Sequence, residues 1–231
     1  RVTNGKATYR EQWFEKPGTL FFDKINATFT NLTNDSVLLA ANIVSELRGE
    51  AWLMGKGKMD VTLRFFFGDK KNTFTYSALV SEMDLREINP MLSNLMPAKI
   101  SSGTLKKLQI PFVKANDDEA AGKLIFYYNN LNVEIAGKDQ SNWSKIKTGV
   151  INFAANDLIV NDNNPTTSGK LKTGTIYFQR NKHSSIFNYL WKSIFTGLKS
   201  TMGFNSDVQK SMIKSEKERQ KEKSKNEKHR R

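Results

Sequence analysis

The sequence predicts a mainly β protein with a few α-helices, in which a curved sheet of long strands is capped by an amphipathic C-terminal helix. Three observations carry this expectation. Across residues 51–67 every odd position is apolar or Gly, whereas Glu50, Lys56, Lys58, Asp60, Thr62 and Arg64 hold even positions; period two gives a strand one dry face and one wet face. Turn-forming clusters at Asn34-Asp35, Gly68-Asp69, Asn116-Asp117-Asp118 and residues 161–165 separate further alternating runs. Near the end, Phe187, Leu190, Trp191, Ile194, Phe195 and Leu198 follow helical spacing and form one apolar stripe, with Lys192, Ser193 and Lys199 off it.

In chain order, strands are expected at residues 20–31, 37–48, 73–80, 104–114, 123–135 and 174–180. The 51–67 run contains Gly55-Lys56-Gly57. A two-residue hairpin there would switch the parity of the apolar positions, and parity is kept. The run therefore reads either as one long strand with a glycine bend or as a hairpin with a bulged three-residue loop. Gly-Thr-Leu at 18–20 and 103–105 and Gly-Thr-Ile at 174–176 open strands in a faint internal echo. A helix is expected at 84–95, where Asp84 precedes Leu85, Ile88, Leu92 and Leu95 at helical spacing. Residues 144–157 fit helix or strand. The 184–200 helix either packs on the sheet or lies on a bilayer or partner surface, since Trp, two Phe and flanking Lys make an interfacial composition.

The chain has 231 residues and a formal charge of +13, long enough to bury a sizeable core. Ten Lys/Arg against four Asp/Glu lie between Lys210 and Arg231, leaving 26 against 19 before them. Nearly half of the excess thus sits in a basic tail, read as helical or disordered. No apolar run approaches the ~20 residues a spanning helix needs. The chain starts at Arg1 with neither an initiator Met nor a signal segment, and reads as a piece of something longer. The domain division is a β-rich unit at 1–183 with the helix near 84–95, an amphipathic helix at 184–203 and the tail at 204–231.

Catalytic chemistry finds little support. Without cysteine there is no disulfide, thiolate metal site or Cys nucleophile. His183 and His229, the second in the charged tail, assemble neither a Ser-His-Asp set nor a His-rich metal site. Asp117-Asp118-Glu119 reads as a solvated turn, and Gly55-Lys56-Gly57 lacks the Lys-Ser/Thr of a phosphate loop. Nucleic acid is not an expected partner, because the charged tail carries no aromatic residue. The chain is read as a non-enzyme with no cofactor and no metal.

Five segments carry a family resemblance: GTLFFDKINATFTNLTND from Gly18, the strand ending DVTLRFFF, MDLREINPMLSNLMPAKISSG, KANDDEAAGKLIFYYNNLNVEI, and NNPTTSGKLKTGTIYFQRNKHSSIFNYLWKSIFTGLKS. Together they resemble the C-terminal region of large AsmA-like envelope proteins of Gram-negative bacteria, particularly Bacteroidota, over about residues 5–203. The resemblance implies a periplasmic protein anchored in the inner membrane by an N-terminal helix that this chain lacks. It also implies an open hydrophobic β-groove that handles phospholipid between the membranes and serves outer-membrane homeostasis. On that reading Leu53, Met59, Val61, Leu63, Phe65 and Phe67 line the groove and meet acyl chains. Phe187, Leu190, Trp191, Ile194, Phe195 and Leu198 then face a membrane surface or an envelope protein at the C-terminal end. The alternative is an interaction or scaffold module of the envelope whose alternation lines a closed β core.

Overall fold

The structure, a computed structural model, describes residues 1–12, 17–41, 44–95, 98–135 and 162–202. Among the described residues, nine antiparallel strands form one open sheet: β1 (Val2–Glu11), β2 (Gly18–Thr30), β3 (Ser45–Leu53), β4 (Gly57–Phe65), β5 (Phe74–Val80), β6 (Met83–Asp84), β7 (Ala98–Ala115), β8 (Glu119–Ile135) and β9 (Thr173–Gln179). They lie in the order β1-β2-β3-β4-β5-β7-β8-β9, with the short β6 paired to β7 beside this path. This is the expected class: mainly β, open, with a C-terminal helix.

The 51–67 run resolves as a hairpin. Leu53 pairs with Gly57 across a Met54-Gly55-Lys56 loop, so three intervening residues preserve the parity. The loop needs positive φ at Met54 and Gly55. Glycine supplies this freely, and Met54 is held there by its amide, which donates to the Phe21 carbonyl at 2.9 Å.

The expected strand at 37–48 is corrected. Residues Ser36–Ala40 form a short helix, α1, because Asp35 caps it by accepting from the amides of Val37 and Leu38 at 2.8 and 3.3 Å. The strand proper begins only at Ser45. At 84–95, Asp84 caps a 3-10 turn (Leu85–Ile88) that continues into α2 (Asn89–Leu95). The Asn89 side chain pins α2 to β7, exchanging 2.8 Å hydrogen bonds with both the amide and the carbonyl of Ile100. Strand β1 was not expected, its polar and small residues giving no apolar alternation. The 144–157 segment and the basic tail lie outside the described residues.

One face of the sheet is apolar and carries the core. Cross-strand rows show it directly: Leu47, Leu63, Tyr76, Val113, Gly122 and Ile176 are successive partners from β3 to β9. The helix α3 (Ile186–Met202) packs on this face over β8 and β9, and α2 packs against β2 and β7. The end of β2 from Gly18 to Phe21 runs past the last residue of β3 and buries Leu20. The opposite face is polar: Arg48 and Arg64 both pair with Glu46, and Lys58 pairs with Glu50 at 3.0 Å. Hydrogen bonds from Arg48 and then Arg64 hold the Glu46 carboxyl below the usual carboxylate range.

Candidate functional site: an apolar face and its rim

The alternation places Leu53, Met59, Val61, Leu63 and Phe65 on the apolar face, as the register of β3 with β4 requires. Leu53, Met59, Leu63 and Phe65 are half-buried against the core. Val61 is also half-buried, in a row whose other members, Gly49 and Ala78, are small. An open depression of about 640 Å³ reaches this row and also polar residues such as Arg48, Thr62 and Ser77. Phe67 lies beyond the end of β4, stacked on Phe65 with ring centroids 5.5 Å apart, and remains 42% exposed.

Helix α3 meets the sheet through residues that the apolar stripe did not single out. Tyr189, Ser193, Gly197 and Thr201, four apart, are its buried line. Their small size lets the helix backbone approach: a Cβ on Gly197 would stand 2.6 Å from Leu124 and 2.7 Å from Ile176, and one on Gly174 would strike the Gly197 carbonyl. Ser193 donates to the Leu190 carbonyl at 2.7 Å, which leaves the buried Tyr76 hydroxyl as donor to Ser193, also at 2.7 Å. Burial, first of all, pushes the Tyr76 phenol well above its usual range.

The stripe itself flanks that line. Leu190, Trp191, Ile194 and Leu198 are half-buried against the core, Phe195 stacks on Trp191 at 5.5 Å, and Phe187 is 49% exposed and stacks on Tyr9 at 6.1 Å. The helix is therefore chiefly a packed element, with its first turn left outside. Its polar side reaches the opposite edge of the sheet. Lys192 pairs with the buried Glu11 of β1 at 3.2 Å, and the Asn188 amide donates to Glu11 and to the Tyr9 hydroxyl at 2.9 and 3.2 Å. Desolvation, the largest influence, pushes the Tyr9 phenol up to about 12. One helix thus touches both the first and the last strand in the sheet order. The legible signal for this seam was the Ser193-Gly197-Thr201 spacing; the contacts to Glu11 had none.

A second apolar feature lies at one end of the sheet. Ser45, Phe65, Phe74, Ala115, Ala120 and Phe178 form its last complete cross-strand row. Four connections leave the sheet there, around residues 31–44, 66–73, 116–118 and 180–185. Among the described residues, six of the ten exposed large apolar side chains belong to the first two of these connections and to the first turn of α3: Leu32, Val37, Leu38, Phe67, Ile186 and Phe187. The acidic groups of this end are engaged. Asp117 pairs with Arg180 at 2.6 Å, and Asp118 with Lys71 and Lys182 at 3.5 and 3.6 Å. Asp117-Asp118-Glu119 is thus a paired turn, and among the described residues no cluster of His, Asp and Glu could hold a metal ion. His183 is exposed in the connection before α3. No described helix is long and apolar enough to cross a membrane. The chain matches no protein-family model, and no curated protein and no solved structure is significantly similar to it.

Proposed function

We propose that this chain is a non-enzymatic lipid-handling domain of a bacterial envelope protein, in which acyl chains lie against the apolar face between strands β2–β4 and helix α3. The observation that carries the reading is that this lining is incompletely sealed. Leu53, Met59, Val61, Leu63 and Phe65 on the sheet, and Leu190, Trp191, Ile194, Phe195 and Leu198 on the helix, all keep part of their surface accessible. By contrast Val113, Leu124 and Tyr189 are closed off. Covering the residual apolar area would recover about 25 cal/mol per Å², and a flexible acyl chain can follow a surface too irregular for a rigid ligand. The sequence resemblance to AsmA-like proteins supports the same substrate class and a periplasmic location.

The second reading, a scaffold or interaction module with a closed β core, is favoured by the tight seam of Ser193, Gly197 and Thr201 against β8 and β9. The two separate on one experiment. A photo-crosslinking amino acid at Val61 or Leu63 of the full chain, followed by mass spectrometry, should capture phospholipid on the lipid reading. Capture of protein segments alone, with no lipid copurifying, selects the scaffold.

A further inference from the structure

The geometry points to a binding groove for a neutral oligosaccharide on the polar face of the sheet. The depression of about 640 Å³ opens on that face. One wall is the cross-strand row Asn26, Glu50, Asp60, Leu79 and Gln109, running from β2 to β7. The other is the parallel row Thr28, Arg48, Thr62 and Ser77, two residues away along the strands. The small row between them is the floor, reached from its backbone side, since Met59 and Leu63, which flank Val61 on the apolar face, take no part in the lining. An extra residue in β2 between Asp23 and Asn26, and one in β7 between Ile110 and Val113, bracket the groove. Such bulges bend the strands that carry them.

The lining suits sugar hydroxyls. Among the described residues, the side chains of Thr28, Asp60, Thr62, Ser77 and Gln109 make no hydrogen bond within the protein, whereas their neighbours Arg48 and Glu50 are paired with Glu46 and Lys58. Hydroxyl and amide groups both donate and accept, as sugar hydroxyls do. The charged side chains of the lining balance, Arg1 and Arg48 against Glu50 and Asp60, so a charged polymer gains no net attraction. Leu79, 37% exposed, and the exposed Pro111 offer apolar surface to the C–H faces of the rings. Strands stand ~4.8 Å apart, so the five from β2 to β7 give the groove a length of ~19 Å, room for about four sugar rings.

The groove lies on the face opposite the acyl-chain lining, so absence of copurifying lipid would leave it standing, and absence of sugar binding would leave lipid uptake standing. The test applies the full chain to an array of neutral and acidic oligosaccharides. Thr62→Val/Gln109→Ala is the groove variant, Asp60→Ala a second one at an exposed position, and Thr75→Val the control. Thr75 lies on the same face of β5 outside the depression. None of these side chains is buried, so thermal melts should match wild type. Wild type and Thr75→Val should bind neutral chains of about four rings or more. The double variant should bind about tenfold more weakly, the loss of two ordinary hydrogen bonds, and Asp60→Ala should also weaken binding. Raised salt should leave binding unchanged, because a neutral ligand is not screened. An array on which wild type binds nothing would overturn the inference, and so would binding confined to acidic glycans. Groove variants that bind as wild type does, or a control that weakens as they do, would also overturn it by moving the sugar to another surface.

Discussion

At the scale of single residues, two buried polar groups in adjacent positions behave oppositely. Asn164 is 2% exposed, and its amide is fully used: Nδ2 donates to the carbonyls of Phe126 and Lys172 at 2.7 and 2.9 Å, and Oδ1 accepts from the Lys172 amide at 2.8 Å. It stands in for a strand beside β8 just before β9 begins. Asn164→Ala leaves those partners unsatisfied and should cost about 2–4 kcal/mol in urea denaturation. Tyr128, paired through its backbone with Asn164, is fully buried, yet its hydroxyl finds no partner among the described residues. Desolvation, and then Asp162, push that phenol up to about 12. Tyr128→Phe removes a buried donor that gains nothing, so stability should hold or rise by up to about 1 kcal/mol. A clear loss in the same urea assay would reveal a hidden partner. Neither role was legible in the sequence, because both depend on long-range pairing. The parity of Leu53, Met59, Val61, Leu63 and Phe65 was legible because alternation is local.

At the scale of elements, the sequence marked α3 by its large apolar residues, while contact with the sheet is made by its small ones. A hydrophobic stripe shows which side of a helix avoids water, but the distance of closest approach depends on the residues that can be crowded. The prediction at this scale sets two effects against each other. In an ordinary helix Gly→Ala stabilises by up to about 1 kcal/mol. At Gly197 the new methyl meets the buried Leu124 and Ile176, and overpacking of this kind costs about 1–3 kcal/mol. Crowding should prevail, so Gly197→Ala should lower the melting temperature. Gly174→Ala should lower it further, since its methyl meets the backbone carbonyl of Gly197, which cannot rotate away as a side chain can. A melting temperature raised by either substitution would show that the helix sits more loosely than this seam requires. The same limit of local reading explains 37–48, where a run of apolar residues suggested a strand and the Asp35 cap turned residues 37–40 into helix.

At the scale of the whole molecule, the sheet's ends and faces divide the charge, and the pH dependence of stability should show it. The ion pairs of the polar face are exposed and contribute little individually. Lys199 is different: burial on α3 lowers its ammonium from 10.5 to about 8, and it lies over the Phe195 ring at 5.4 Å. Below about pH 8 both folded and unfolded chains hold this proton, and the folded chain bears the cost of a desolvated charge. Between about 8 and 10.5 only the unfolded chain holds it, so stability climbs with pH. The upper bound is about 3 kcal/mol, which solvent screening at a partly exposed site reduces to roughly 1–2. The buried phenols act in the opposite sense. Tyr9, Tyr128 and Tyr177 are pushed up to about 12, and Tyr76 and Tyr189 further, in each case chiefly by burial. Above pH 10 the unfolded chain releases phenolic protons that the folded chain keeps, and stability falls. The melting temperature should therefore rise from pH 7.5 to a maximum between about 8.5 and 10 and then decline. Lys199→Met should remove the rise and leave the decline intact, since the methionine keeps the apolar stem without the charge. A variant that still gained stability over the rising limb would mean that another group, not Lys199, carries the buried charge.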